Sequence, residues 1–302
     1  MSKVVIVGCG NVGMSYAFSL VTTKNKVDEL VLIDINETKA QGEALDLAHA
    51  ATYNSNHIIV KNGNYNDCDN ADIVCICAGR NQDVGETRRD LINKNYEVFK
   101  SIIEKINCTK FKGIYLIATN PLDVMTYITY KLAKFPAKKV IGSGTVLDTA
   151  RLRGLICNEL NINPKNIHAY VIGEHGDSEF VPWSNAIIGL NKATKYLTED
   201  QRSRILYNVR TSAYDIINKK GNTCYGIGMC LTNITNAILE NSNEIMTIST
   251  YDKENDIYIG LPAILNKNGV KEVLKLELSI NEQYRLQDSI DCIKDTINQI
   301  KW

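Results

Sequence analysis

Across the first half of the chain, short and nearly uninterrupted apolar runs alternate with longer stretches in which apolar residues recur every three or four positions. Lys3-Val4-Val5-Ile6-Val7 is β-branched and too short for a helix, so it predicts a strand. The stretch that follows places Tyr16, Phe18, Leu20 and Val21 at helical intervals. Further strands are expected at residues 30–33, 58–60, 71–77, 113–118 and 139–141, with a helix from Glu37 to Ala51. Another helix follows Arg88 and buries Leu91, Ile92, Val98, Phe99, Ile102 and Ile106. Strands that are apolar on both faces and separated by helices predict an α/β fold with a doubly wound parallel sheet covered on both sides.

Past Ser143-Gly144 this alternation stops. Helices are expected at residues 147–160, 201–219 and 227–240, antiparallel strands at 244–251 and 256–264, and a last helix from Glu282 to Ile300. The second part is therefore a mixed α+β unit. We place the boundary at Gly144, giving domains 1–144 and 145–302, which suits 302 residues at about 150 per domain.

The first strand runs directly into Gly8-Cys9-Gly10-Asn11-Val12-Gly13 and then into a helix. In a Rossmann turn of this kind the first glycine makes the bend, the second admits a pyrophosphate and the third lets helix pack on strand. The spacing alone is weak, but the next strand ends in Asp34, about 20 residues on, where a carboxylate accepts adenosine ribose hydroxyls. Asp34 also repels a 2′-phosphate and Ile35-Asn36 offers no arginine for one, so NAD is favoured over NADP.

Composition removes other classes. Lys+Arg and Asp+Glu are 34 each, which leaves no basic excess for nucleic acid or an anionic membrane. No apolar run approaches the length of a membrane span, and the start of the chain is not patterned as a secretion signal, so a cytoplasmic protein is expected. The nine cysteines are scattered, with no CxxC pair and no histidine at metal-ligand spacing. Reduced thiols and no metal are expected. Cys75 and Cys77 should share one face of their strand.

Candidate chemistry centres on Ile172-Gly173-Glu174-His175-Gly176-Asp177, which ends an extended run, residues 167–171. Glycines on both sides allow a tight turn and close ligand approach, and imidazole suits proton transfer near neutral pH. Taken alone, this stretch favours a plain surface turn, because most loop histidines do no chemistry. Asp148 and Arg151 share a helix face, fit either for an ion pair or for holding an imidazole and gripping a carboxylate. Asn120-Pro121, after the fifth strand, places an amide at a strand end and is a candidate cis peptide. Residues 79–88, GRNQDVGETR, form a polar segment long enough to act as a lid.

Taken together, GCGNVG, AGRNQDVGETR, ATNP, LDTARLR, IGEHGD and KGNTCYGIG, in this order, resemble the bacterial-type L-lactate dehydrogenases of the lactate/malate dehydrogenase family. The resemblance covers essentially the whole chain. It implies NAD-dependent interconversion of pyruvate and L-lactate, a glycolytic and fermentative role, and a homotetramer. It makes His175 the proton donor and acceptor, Asp148 its orienting carboxylate and Arg88 the group that polarises the carbonyl. It makes Arg151 the carboxylate anchor, with Gln82, Asn120 and Thr223 also at the substrate. The cofactor would meet Gly8, Gly10, Asn11, Val12, Gly13, Asp34, Ala78, Gly79, Asn120 and Ile227. Malate dehydrogenases of the family carry arginine where this chain has Gln82, so pyruvate is favoured over oxaloacetate. Arg89 stands where the family more usually has an apolar residue. A non-catalytic dinucleotide-binding protein would have been favoured by loss of His175, Asp148 or Arg88, and all are present.

Two further basic residues fall outside this chemistry. At about 100° per residue, Arg151 and Arg153 leave their helix about 200° apart, so Arg153 faces away from substrate if Arg151 faces it. In bacterial relatives the positions matching Arg153 and His168 form an intersubunit anion site for fructose 1,6-bisphosphate, which the resemblance extends to this chain as an allosteric expectation.

Overall fold

The computed structural model describes residues 1–54, 57–80 and 88–302, apart from the side chains of Arg88 and Arg89. Six parallel strands come first: β1 (Lys3–Val7), β2 (Glu29–Ile33), β3 (Ile59–Asn62), β4 (Ile73–Ile76), β5 (Ile114–Ile117) and β6 (Val140–Gly142). They lie in the order β3-β2-β1-β4-β5-β6. The order reverses between β1 and β4, and the crevice beyond the carboxyl ends of strands at such a reversal is where a doubly wound sheet binds its ligand.

Alternation along each strand decides which helices cover which face. Val4 and Ile6 join one core cluster together with Leu30, Leu32, Ile73 and Cys75. Val5 and Val7 join the other with Val31, Val74, Ile76 and Ile117. Helices α1 (Asn11–Thr22) and α2 (Glu37–Ala51) cover the first face. Helices α3 (Arg88–Asn107) and α4 (Leu122–Ala133) cover the second. The residues of β1 after Lys3 are at most 2 % exposed, and each such side chain contributes about 1.5–3 kcal/mol by leaving water. Phe18, expected to point inward, is 54 % exposed. Tyr16, Ala17, Leu20 and Val21 form the buried stripe of α1 instead.

After α5 (Val146–Leu160) comes a small sheet of β7 (Ile167–His168), β8 (Ile187–Ile188) and β9 (Asn191–Lys192). The extended run expected through Val171 pairs as a strand only over its first two residues. Beyond them side chains of α5 and of Thr145 just before it take over the backbone: Val171 N–H donates to Thr149 Oγ1 at 2.9 Å, and Thr145 Oγ1 donates to Val171 O at 2.6 Å. Helices α6 (Glu199–Lys220) and α7 (Tyr225–Leu239) then lead to β10 (Glu244–Asp252), β11 (Ile257–Asn266) and β12 (Gly269–Val273), followed by α8 (Ile280–Ile297). The expected antiparallel pair thus gains a third strand.

These strands continue the parallel sheet. β10 pairs antiparallel with β6 at Ser249 and Gly142, making nine strands in the order β12-β11-β10-β6-β5-β4-β1-β2-β3. Gly144 has φ +57°, and a Cβ there would lie 2.4 Å from Ser249 N, so the chain leaves the parallel strands through a position that only glycine fills easily. Helix α7 packs back on α1, where Gly228 lies against the Ser15 backbone and Tyr16 Oη meets Thr235 Oγ1 at 2.5 Å. Among the described residues no helix is long and apolar enough to cross a membrane.

Candidate active site

The glycine turn after β1 is shaped by its neighbours. Gly8 has φ +106°, and a Cβ there would stand 2.5 Å from Ala78 N, in the turn that follows β4. A Cβ on Gly13 would stand 2.0 Å from Gly8 O, which fixes helix α1 against the turn. Gly10 has open space on its Cβ side, and it precedes α1 with no side chain capping the helix. Free amides at a helix N-terminus beside an open glycine make a cradle for a pyrophosphate. Asn11 and Val12 are the first two residues of that helix.

Asp34, just past the end of β2, accepts from Cys9 N–H at 2.7 Å and from Asn36 N–H at 2.9 Å, so its carboxylate is tied to the same turn. A cleft of about 320 Å³ opens beside it, lined by Asp34, Glu37, Lys61 and Asn64 among others. These residues therefore fit a dinucleotide along the carboxyl ends of β1 and β2.

Ala78 and Gly79 continue the rim beyond β4. A Cβ on Gly79 would sit 2.5 Å from Thr119 Cγ2, and Ala78 O accepts from Thr119 Oγ1 at 2.8 Å. Asn95, fully buried on α3, joins this rim to the next one. Its Oδ1 accepts from Arg80 N–H at 2.8 Å and its Nδ2 donates to Asn120 O at 3.2 Å. Asn120 is exposed at the strand end, and the Asn120-Pro121 bond is cis. Residues 81–87, Gln82 included, and the Arg88 side chain lie outside the described residues.

His175 faces this rim from the second half of the chain. Gly173, φ +100°, exchanges backbone hydrogen bonds with Gly260 of β11 at 3.0 Å in each direction, which anchors the turn to the extended sheet. His175 N–H donates to Asp123 Oδ2 at 2.7 Å, and the other Asp123 oxygen accepts from Ser249 Oγ at 2.5 Å. The imidazole Nδ1 lies 2.8 Å from Asp148 Oδ2, while Arg151 Nη1 donates to Asp148 Oδ1 at 2.7 Å. An ionised carboxylate only accepts, so Nδ1 carries a hydrogen and Nε2 is left for a reactant.

The electrostatics follow from that packing. Burial works against an ionised Asp148, but the His175 charge and hydrogen bond, with Arg151 beside them, hold its carboxyl below the usual range. Burial likewise works against imidazolium, yet Asp148, Glu179 and Asp123 outweigh it and push His175 up to about 9. Its side chain is 27 % exposed, which leaves room for a substrate to approach. Burial pushes the Asp123 carboxyl up to about 6, with Ser249 and the His175 amide pulling the other way. The site thus holds a protonated imidazole at neutral pH, with a guanidinium close by.

Thr223 and Ile227 are half-buried, Thr223 just before α7 and Ile227 in its first turn. Arg153 points away from Arg151. Its Nε donates to Ala169 O at 3.2 Å, and its guanidinium lies 4.9 Å from the Tyr170 ring centroid. His168 is exposed on β7, one residue from that carbonyl. Cys75 and Cys77 do share a face, their sulfurs 3.6 Å apart.

Sequence reasoning missed three polar residues that build this site. Asp123 is the acid of the first turn of α4, two residues after Pro121. Asn95 is a polar residue amid the apolar positions of α3, and Glu179 is a charged residue next to the buried run Phe180-Val181. In each case a charged or amide side chain sits where the apolar pattern calls for burial, and such a side chain needs a partner.

Comparison with known proteins agrees with this geometry. Residues 2–142 match the lactate/malate dehydrogenase NAD-binding domain, and residues 145–302 match the α/β C-terminal domain of the same family. An L-lactate dehydrogenase of Geobacillus sp. (strain WCH70) is 46 % identical over 309 residues, covering 99 % of this chain and 97 % of its own length. One from Geobacillus thermodenitrificans is 48 % identical over 306 residues, covering 98 % and 96 %. The crystal structure of a lactate dehydrogenase from a Medee basin deep-sea metagenome superposes with a TM-score of 0.96 at 44 % identity, covering 100 % of this chain and 99 % of that one. With a dinucleotide turn, a histidine held by aspartate at the same sheet edge and both family domains matched in order, the chain belongs to the lactate/malate dehydrogenase family.

Proposed function

We propose that the protein is an L-lactate dehydrogenase, reducing pyruvate to L-lactate with NADH and running in reverse with NAD. The observation that carries the choice of substrate is Gln82, uncharged at the position where the malate branch of the family has arginine. The relatives named L-lactate dehydrogenase, nearly half identical over almost the whole chain, support the same choice.

NAD, when bound, supplies or accepts the hydride at the substrate carbon. His175 holds a proton at Nε2 for the carbonyl oxygen in reduction and takes it back in oxidation. Asp148, accepting at Nδ1, keeps the ring oriented and stabilises imidazolium as it forms. Arg151 turns a guanidinium toward the substrate carboxylate, its geometry suited to a bidentate grip. Arg88 polarises the carbonyl, Asn120 hydrogen-bonds near it, and Thr223 and Ile227 line substrate and nicotinamide. Gly8, Gly10, Asn11, Val12 and Gly13 hold the pyrophosphate, Asp34 the adenosine ribose, and Ala78 and Gly79 the rim between them. Loss of NADH absorbance with pyruvate, oxaloacetate or neither tests the reading. A preference for oxaloacetate places the protein in the malate branch, and no turnover with either rejects dehydrogenase activity.

We further propose a cytoplasmic homotetramer whose activity responds to fructose 1,6-bisphosphate. Arg153, braced on Tyr170 and on the carbonyl next to His168, supports an anion site there. Phe18, Tyr207, Tyr214, Tyr225 and Met229 are each more than 45 % exposed, apolar surface that suits burial between subunits. Light-scattering mass with and without the bisphosphate tests the assembly. The two domains, 1–144 and 145–302, act as dinucleotide-binding and substrate-binding halves of each subunit.

A further inference from the structure

Glu179 lies four residues beyond His175 and is only 3 % exposed, and beyond its charge on His175 no step of the proposed reaction uses its side chain. A carboxylate oxygen of Glu179, one of Asp148 and a ring nitrogen of His175 all lie within 4.8 Å of one another. Arg210 of α6 engages Glu179 at the backbone, Nε donating to its carbonyl oxygen at 3.0 Å. Both Asp148 oxygens already accept, one from Arg151 and one from His175, so the trio is arranged around a proton rather than a metal cation.

The charged neighbours come from every element around it. Asp148 and Arg151 face Glu179 from α5, His175 from its own turn and Arg210 from α6, with Arg285 of α8 next to Arg210. Asp123 of α4 faces the same imidazole. Burial and then the Asp148 charge push the Glu179 carboxyl up to about 8, against the pull of His175, Arg210 and Arg151. A carboxyl raised that far keeps its proton at neutral pH and gives it up in the range where His175 gives up its own. Groups this close then titrate as a pair.

Building on the dehydrogenase reading, we propose that Glu179 is a positioning residue acting through His175: its ionisation at alkaline pH holds the imidazolium in place and extends the pH range over which the protein can deliver a proton to its substrate. Glu179 releases its proton to solvent and the new carboxylate raises the affinity of His175 for its own. No proton passes between the two. Below the Glu179 transition the neutral carboxyl adds little, and above it a second negative charge joins Asp148 beside the ring.

The test is a ¹⁵N NMR titration of the full chain, which has four histidines, with His175→Asn identifying the signal of His175. In wild type the His175 shifts should follow two steps between pH 7 and pH 10. Glu179→Gln should collapse them to one step about one pH unit lower, and Glu179→Asp should restore part of the difference. In steady-state reduction of pyruvate, the ratio of Glu179→Gln to wild-type kcat/KM should fall about tenfold between pH 7 and pH 10. A merely structural role would instead lower it evenly at all pH values. A single-step wild-type titration, superimposable His175 curves in the two proteins, or a ratio independent of pH would overturn the proposal. A wild type inactive with pyruvate but showing the shifted His175 titration would overturn the dehydrogenase reading while supporting the pairing.

Discussion

Replacing Asp148 by asparagine removes one negative charge and one acceptor while keeping the shape of the side chain. Asp148 is 2 % exposed and accepts on both oxygens, at 2.7 Å from Arg151 and 2.8 Å from His175 Nδ1. An amide has one oxygen for two donors. If that oxygen stays with Arg151, the NH2 group faces Nδ1 and stabilises the ring only in its neutral form, with Nδ1 as acceptor. The charge term acts in the same direction. Unit charges about 4 Å apart at an effective dielectric of 20 interact by about 4 kcal/mol, equivalent to about three pKa units. His175, pushed up to about 9 in the wild type, would then titrate near or below the ordinary histidine value of about 6.5. Its protonated fraction at pH 7 falls by roughly a factor of ten, and the mis-set tautomer adds to that loss. Together they predict a fall in turnover of roughly two to four powers of ten. The assay is kcat/KM for pyruvate reduction from pH 5.5 to pH 10, with lactate oxidation run in parallel. Reduction needs imidazolium, so its alkaline limb should move acid by about three units, while oxidation, which needs neutral imidazole, should lose least at high pH. A change in turnover of less than about threefold, or an unmoved alkaline limb, would remove Asp148 from the mechanism.

Gln82→Arg should raise the oxaloacetate-to-pyruvate ratio of kcat/KM by about a hundredfold, since a close charge pair in a dehydrated site can contribute several kcal/mol. Competition kinetics with both acids checks it, and an unmoved ratio would count against Gln82 as the discriminating position. Gly13→Ala should weaken NADH by more than about tenfold, because the added Cβ would stand 2.0 Å from Gly8 O and the turn must open. Fluorescence titration of NADH reads the change, and an unaltered Kd would show that the turn yields without consequence. The folded-state pKa of His175, Glu179 and Asp123 is raised in each case, to about 9, 8 and 6, so the folded chain binds extra protons at these sites. Their contribution to stability is present at low pH and is lost as pH rises through those values. Tm of the ligand-free protein should therefore fall between pH 7 and pH 9, where His175 and Glu179 lose their extra protons, less steeply in Glu179→Gln, and a flat wild-type profile would contradict it. Arg153→Gln should abolish any lowering of the pyruvate KM by millimolar fructose 1,6-bisphosphate. Superimposable wild-type saturation curves with and without the bisphosphate would dismiss the effector, and an undiminished response in the variant would place its site elsewhere.

The parallel strands other than β3 were legible because each is apolar on both faces and ends at a polar turn, so their runs stand out without a partner in view. Helix α4 was not, for a related reason. All its residues from Leu122 to Thr129 are buried, polar Asp123, Thr126 and Thr129 included, so its polar stripe faces protein rather than water. Phe18 failed in the opposite sense: it sits at a helical interval from its apolar neighbours, but α1 turns Tyr16 and Leu20 inward and leaves Phe18 outside the monomer core. Strand β12 is five residues of mixed polarity, and it forms because β11 offers an edge rather than because Gly269–Val273 demand a strand. Residues 169–171 read as extended, and side chains at and within α5 hold Ala169 O and both backbone groups of Val171 in place of a neighbouring strand.

The site was legible where its chemistry is local and hidden where it is assembled. His175 between glycines, Asp148 with Arg151, and the glycine turn with Asp34 each occupy a short stretch that can be read alone. Asp123 stands 52 residues before His175 yet accepts its backbone N–H, and only the fold brings them together. That contact explains why the parallel half matters to a histidine borne on the second half. Asp123 belongs to the first turn of α4, directly after the strand-end Asn120-Pro121, and its other oxygen is fixed by Ser249 of β10. β10 in turn extends the same sheet from β6, and Gly260 of β11 clamps Gly173. The imidazole is therefore referenced to the rim of the dinucleotide crevice through one buried carboxylate and one continuous sheet. Proton donor and hydride carrier must meet the same substrate in a single geometry, where misplacement by about 1 Å can cost a hundredfold in rate. A sheet spanning both halves meets that requirement: β10 pairs with β6, so nine strands form one sheet across the point, Gly144, where the alternation of strands and helices in the sequence stops.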